Sequence, residues 1–589
     1  MAKKKKEFIP SQYQQRIYDF ITNGQGNAVI EACAGAGKSY TLVKCIELID
    51  PELSILLTAF NRDIVTELTR KTKGYNNVHA KTMHALGLQM LSSNYRDCAL
   101  ELDEFKYNSF INTNLSKLSA IDFFALSRSD RAKYKDNILK FVEFGRYYLA
   151  QTVKDLTMIE DRYDIDTLAD EKEVAIEVIE WGKSNLEQID FTDMVYLPNI
   201  LNCKPYNMQY DWIMVDEAQD LSVAQRNILL KCRKINTRIL FVGDKNQCLY
   251  SFSGADPDSF ARIKDIPNTI SLPLSITYRC ADNIVDYAKN IVPTIEKNSD
   301  GREGEILTDC DISEVKDGDM ILCRNNAPLM KVYVELLRQN KKSFIRGKDI
   351  GLNMKNIVKR TDEEKLNVDL KKRGVFTKLY SQLHDMIADI MIKNNVTYSE
   401  AANSSKVVSR YDMIKALEIL SEGLKTSEEL INRINEVFSN RKKDGISLST
   451  VHKAKGLEAD NVYIVCHSLM PSKQAKKDWE FIQEKNLMYV AYTRSRNKLG
   501  FIEESDFSDF NTSNGINIDE LLKNEKLVNA ATGRKPKQID TTNKYVATEI
   551  IKHATQIEQP KTKPIVKLEN KPKVSKQFNF GKPRKLRRI

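Results

Sequence analysis

Ala28-Val29-Ile30-Glu31-Ala32-Cys33-Ala34-Gly35-Ala36-Gly37-Lys38-Ser39-Tyr40-Thr41-Leu42-Val43 reads as a buried strand, a tight glycine-containing turn and the start of a helix. The order matters because the turn delivers backbone N–H groups to the positive end of a helix, where an anion is held. Gly35 and Gly37 allow that backbone to close on a phosphate chain, Lys38 can reach the β and γ oxygens, and the Ser39 hydroxyl can face a divalent cation. The first loop position, glycine in the strict pattern, is Ala32. The residues from Ala32 to Ser39 are therefore the expected nucleoside-phosphate cradle.

The flanking texture fixes the class. Short apolar runs at Ala28 to Ala32, Ser54 to Thr58, Trp212 to Asp216 and Arg238 to Gly243 end in polar turns and alternate with helical patterns. The same texture returns at Met320 to Cys323, Ile446 to Val451 and Asn461 to Cys466. Alternation of this kind predicts an α/β protein with two parallel-sheet domains covered by helices. The stretches 88–185 and 352–443, rich in Lys, Glu, Leu and Ile at helical spacing, read as helical insertions. The expected division is a first domain over 1–87 and 186–270, a second over 271–351 and 444–508, and an extension over 509–589. That extension is expected to be a mostly disordered basic tail, since prolines at 560, 564, 572 and 583 interrupt it and no acidic residue follows Lys571.

A second chemical signal comes from Trp212-Ile213-Met214-Val215, an apolar strand that ends in Asp216-Glu217. Adjacent carboxylates at such a strand end divide two tasks: Asp216 can hold Mg²⁺, and Glu217 can polarise the water that attacks a γ-phosphate.

Val215-Asp216-Glu217-Ala218-Gln219-Asp220 resembles motif II of superfamily 1 helicases, and Ala32 is the residue that UvrD, Rep and PcrA relatives carry at that loop position. Other segments resemble the remaining motifs in order: Thr58 to Arg62, Thr82-Met83-His84, Asp190 to Asp193, Val242 to Tyr250, Leu274 to Cys280, Thr450 to Glu458 and Tyr489 to Arg494. The resemblance spans roughly residues 10 to 505. It implies a P-loop NTPase of two RecA-like domains that uses ATP and Mg²⁺ to move along single-stranded DNA, 3′ to 5′, and to open duplex at single-strand/duplex junctions.

The resemblance also implies roles for particular residues. Arg279 and Arg494 would act as arginine fingers within one chain, and Gln247 as the γ-phosphate sensor. Tyr278 would stack on adenine, Gln14 would read it, and Glu458 would contact ribose or phosphate. Phe60, Asn61, Thr82, His84, Tyr250, Phe252 and His452 are the implied DNA contacts. Two departures stand out: Phe252 replaces a frequent Trp, and Ser253 replaces an Arg. The insertion at 352–443 is also short for the family.

Two rival readings are a translocase that strips proteins from DNA without unwinding, and a nucleotide-gated scaffold that does not hydrolyse. The scaffold would be expected to lack Glu217 or a finger, and neither is missing. The net charge of +10 suits a polyanionic partner. The basic tail is open to three roles: DNA contact, docking of a protein partner, or solubility. Ten cysteines without a Cys-x-x-Cys pair, no apolar leader after Met1 to Lys6 and no run long enough for a membrane predict a reduced, cytoplasmic protein, and the motif set it resembles is equally at home in a bacterium or a phage.

Overall fold

The computed structural model describes residues 9–59, 62–123, 126, 128–249, 254–394, 396–438, 444–502 and 518–533. Its strands are β1 (Asn27–Ala32), β2 (Ile55–Ala59), β3 (Val78–Thr82), β4 (Glu101–Leu102), β5 (Gln188–Ile189), β6 (Tyr210–Asp216) and β7 (Arg233–Gly243). They continue with β8 (Thr269–Leu274), β9 (Glu305–Leu307), β10 (Met320–Cys323), β11 (Ser343–Ile345), β12 (Ile446–Thr450), β13 (Ala459–Val465) and β14 (Ser495–Ile502).

Two six-stranded sheets carry the fold, in the orders β3-β2-β6-β7-β1-β8 and β11-β12-β10-β13-β14-β9. Every pairing within them is parallel. Strands covered by helices on both faces are apolar almost throughout, and β2 and β10 are buried along their whole length. Alternate side chains feed different cores: Ala28 and Ile30 pack into one cluster and Val29 into another. The cluster holding Ala28 and Ile30 also takes in Met320, Leu322, Val462 and Leu499 of the second sheet, so one apolar core is shared by both sheets.

Corrections to the sequence-based division follow from pairing and packing. The expected boundary at 270/271 falls inside β8, which pairs with β1 from Asn27↔Thr269 to Ala32↔Leu274, so the first sheet extends to Leu274. Pro273 sits in this strand without harm because β8 is an edge. The helices nearest the expected insertion starts at 88 and 352 begin at Met83 and Lys348. The extension after 508 is not uniformly irregular: Ile518–Thr532 is a helix against Val375–Asn394, with Leu521 and Val528 buried. Polar neighbours hide this helix from a reading by composition, while its two core residues lie seven apart, two turns along one face. The expected disordered tail, residues 534–589, lies outside the described residues.

Among the described residues no helix is long and apolar enough to cross a membrane.

Candidate functional site

Parallel pairing brings the carboxyl ends of β1, β6, β7 and β8 to one edge. Glu31 is level with Gly243, and Ala32 with Leu274. The loop after β1, Asp216 at the end of β6, Asp244 after β7 and Thr277 to Arg279 after β8 therefore gather in one place, as ligand sites do in sheets of this kind. Asp216 stands two strands from β1, about 10 Å at the usual spacing. Side chains of Lys38 and Ser39 cover that gap.

The loop itself is built for an anion. Gly35 and Gly37 have φ of 72° and 77°, backbone that L side chains resist. A Cβ on Gly35 would also lie 2.4 Å from Cβ of Arg279. The helix Lys38–Glu47 starts directly after, so its first N–H groups have no intrahelical acceptor and face the loop's concavity.

Charges are arranged around this cradle. The Lys38 ammonium lies 2.6 Å from Oε1 of Glu217, and the Ser39 hydroxyl 3.5 Å from Oδ2 of Asp216. Burial works against the Lys38 charge, but Glu217, Asp216 and Asp244 together hold it above the ordinary lysine range. Burial would likewise raise the Glu217 carboxyl, yet Lys38 and Lys455, with hydrogen bonds from Lys38 and Gln219, hold it down to about 2. Burial and the Glu217 charge push Asp216 up to about 6.

Elements of the second sheet close the cleft. Glu458 and Arg494 immediately precede Ala459 and Ser495, which are paired at the starts of β13 and β14. Arg279 donates from Nε to Glu458 Oε2 at 2.5 Å and from Nη1 to the Thr493 carbonyl at 3.2 Å. Arg494 is almost fully buried. It donates to the Val490 and Leu457 carbonyls, the Thr493 hydroxyl and, at 3.4 Å, Oε1 of Gln247. Gln247 donates in turn to Asp244 at 2.8 Å. Burial, with the Arg279 charge nearby, pushes the Arg494 guanidinium down to about 9.

The expected adenine contacts are adjacent: Tyr278 OH is 3.4 Å from Oε1 of Gln14, and its ring lies 4.0 Å from a Cβ built on Gly37. Gln14 is buried in the capping box of the helix Gln12–Asn23 and donates to Thr41 at 3.3 Å. Thr82 caps the helix Met83–Asn94 by accepting from Ala85 N. His84, held below the usual histidine range by burial, meets Phe191 edge to face. Thr82 ends the edge strand β3, four strands from β1, and His84 lies in the first turn of the helix that follows. His452 lies in the turn after β12, and burial pushes its imidazole down to about 3. Phe60, Asn61, Tyr250, Phe252 and Ser253 lie outside the described residues.

Several participants carried no role in the sequence reading. Gln219 donates to Glu217 at 2.5 Å and accepts from Asp244 N at 3.0 Å, joining the ends of β6 and β7. Lys455 lies 2.5 Å from Oδ2 of Asp220, a buried pair between the two sheets. Tyr489 accepts from Ala34 N at 2.9 Å. All three belong to segments quoted for their resemblance, and only the pairing of distant segments reveals their partners.

Comparison with known proteins agrees with this arrangement. Residues 13–267 match the UvrD/REP helicase N-terminal domain and residues 331–505 the UvrD-like helicase C-terminal domain. The ATP-dependent DNA helicase Rep of Buchnera aphidicola from Acyrthosiphon pisum is 23% identical over 82% of this chain and 93% of its own. A probable DNA helicase II homolog of Mycoplasma pneumoniae is 22% identical over 83% of this chain and 84% of its own. The ATP-dependent DNA helicase PcrA of Staphylococcus aureus is 23% identical over 54% of this chain and 59% of its own.

Proposed function

We propose, from the premise that this chain belongs to the UvrD-like family of ATP-dependent DNA helicases, that ATP is hydrolysed between the two sheets by Lys38, Glu217, Gln247, Arg279 and Arg494. The observation that carries the reading is the buried Arg494, whose hydrogen bonds run to neutral oxygens across the cleft from Lys38. A buried guanidinium without a carboxylate partner is matched to an anion that arrives.

The loop from Ala32 to Gly37 and the N-terminus of the following helix take the phosphates. Lys38 then exchanges Glu217 for phosphate oxygens. That exchange removes the nearest cation from Glu217, raises its proton affinity and makes it a better acceptor for the proton of the attacking water. Gln219 keeps the carboxylate oriented, and Arg279 and Arg494 meet the charge that spreads over the equatorial oxygens. Gln247 links Asp244 to Arg494 and so reports that event across the cleft. Tyr278, Gln14 and Glu458 complete the nucleotide contacts.

Asp216 and the Ser39 hydroxyl are the residues that would hold Mg²⁺. Their oxygen donors are hard, and the Asp216 carboxylate, whose negative charge is disfavoured by burial and by Glu217, is matched to a cation. Held there, the ion would supply positive charge to neutralise the charge of the phosphates.

Phe60, Asn61, Thr82, His84, Tyr250, Phe252 and His452 are read as the contacts of single-stranded DNA. Ala59 and Thr82 are paired, which supports one continuous track across β2 and β3. Stacking rings and a positive groove suit a strand without sequence preference. The motif forms support 3′ to 5′ movement and engagement of single-strand/duplex junctions in the cytoplasm. The scaffold is not favoured, since the hydrolytic set is complete, and the stripping translocase, which would carry the same set, is not favoured by relatives named as DNA helicases. The test is unwinding of duplexes with a 3′ or a 5′ tail, alongside ATP hydrolysis with and without single-stranded DNA. Hydrolysis stimulated by DNA with unwinding from the 3′ tail is expected, and unwinding from 5′ tails alone would refute the polarity.

A further inference from the structure

The helix Asp478–Tyr492 belongs to the second sheet's domain, yet one of its faces is buried against the first. Tyr489 has no exposed surface, and its phenol oxygen accepts the N–H of Ala34 inside the phosphate loop at 2.9 Å. One turn earlier, Asn486 donates from Nδ2 to the carbonyls of Cys248 at 3.2 Å and Lys245 at 3.4 Å. Those carbonyls flank Gln247. Residues three apart share a helix face, so one face grips both the phosphate loop and the turn that holds the proposed sensor. Directly past the end of the same helix comes Arg494, which reaches Gln247.

We infer that Tyr489 is a positioning residue for hydrolysis: its hydroxyl fixes how far Arg494 stands from the phosphate loop. The inference rests on the role proposed for Arg494. Its physical basis is rigidity. Three hydrogen bonds across the cleft, a buried one at Tyr489 and two from Asn486 one turn earlier, hold the helix in a defined register against the loop, and the guanidinium follows that register. A buried tyrosine commonly finds some partner for its hydroxyl. Here the partner is an amide of the phosphate loop, contributed by the opposite domain. The loop's outward N–H groups, at the start of the helix Lys38–Glu47, remain available for phosphate, so Tyr489 acts on geometry rather than as a ligand of the nucleotide.

Tyr489→Phe removes the oxygen and keeps the ring. Turnover, the KM for ATP and the affinity for a fluorescent ATP analogue are measured on the full chain with saturating single-stranded DNA, together with Arg494→Ala and the double variant. The expected result is a kcat lower by on the order of tenfold or more, as a small misplacement of a reacting group costs, with KM and analogue affinity within about twofold. Single-turnover hydrolysis in the Arg494→Ala background should then show no further loss. Asn486→Ala, on the same face, should lower kcat in the same manner, and it serves if Tyr489→Phe fails to bind the analogue.

Unchanged kcat in Tyr489→Phe overturns the inference, as does a loss confined to KM and affinity. An additive loss in the double variant also overturns it, because Tyr489 would then act independently of Arg494. Normal hydrolysis by Arg494→Ala would overturn the proposed site itself. An inactive Arg494→Ala beside a normal Tyr489→Phe removes only this inference.

Discussion

Arg494 places Nη2 3.4 Å from Oε1 of Gln247, and the guanidinium finds carbonyl, hydroxyl and amide oxygens where a buried cation ordinarily finds a carboxylate. Arg279, by contrast, is paired with Glu458. The two proposed fingers therefore differ in readiness: one is already directed at the cleft, and the other must leave an ion pair.

Replacement of either arginine should spare nucleotide binding and reduce hydrolysis by a factor on the order of 10³ or more, the scale of a lost transition-state cation. Steady-state ATPase measured beside binding of a fluorescent ATP analogue separates the two effects. Normal hydrolysis in Arg279→Ala or Arg494→Ala would mean that the catalytic cleft is not shared between the domains.

Lys38→Ala should abolish hydrolysis and leave single-stranded DNA affinity within about severalfold, because the ammonium serves the phosphates and its present partner is Glu217. DNA binding by fluorescence anisotropy and ATPase assays on one preparation decide it. Near-normal turnover would sink the assignment of the phosphate loop.

The pH dependence of stability has a definite sign at His384. This residue is buried, with Nδ1 3.4 Å from the Tyr398 hydroxyl, and burial pushes its imidazole down to about 4. Its ordinary value is about 6.5. The unfolded chain then binds more protons between those two values, so stability is fully present above pH 6.5 and is lost as pH falls toward 4. Between pH 6.5 and 5 the loss from this one group is about 2 kcal/mol. His384→Gln should flatten that part of the curve, measured as urea midpoints at pH 8 and pH 5. An identical decline in variant and parent would rule the group out.

Truncation should separate two parts of the C-terminal region. Ending the chain at residue 517 removes Leu521 and Val528 from the second core, a loss of about 3–6 kcal/mol for two buried aliphatic side chains. Ending it at Gly533 should leave the unfolding midpoint unchanged. Removal of 571–589 alone should weaken DNA binding most at low salt and make log affinity less steep against log salt, since binding with fewer phosphate contacts releases fewer counterions. An unchanged salt slope would point to a protein partner instead, and equal midpoints for the 517 and 533 truncations would show that the docked helix contributes nothing.

What the sequence by itself determined was the chemistry carried by contiguous residues. The phosphate loop, the Asp216-Glu217 strand end and the order of the motifs are local patterns, because backbone geometry and residue type act there within a few positions. The buried strands were legible for the same reason: β1, β6 and β10 are short apolar runs. The edge strands β3 and β8 and the interior strand β14 were not. β3, Val-His-Ala-Lys-Thr, is only half buried, β8 contains Pro273, and β14 begins with Ser-Arg-Asn-Lys, so none shows the apolar run of a covered strand. Tertiary structure decided the pairings that sequence distance hides: Asp220 with Lys455, Ala34 with Tyr489, Arg279 with Glu458, and the docking of Leu521 and Val528. These depend on which strands become neighbours and how the two sheets meet over a shared core, and no local propensity encodes a contact between residues hundreds of positions apart.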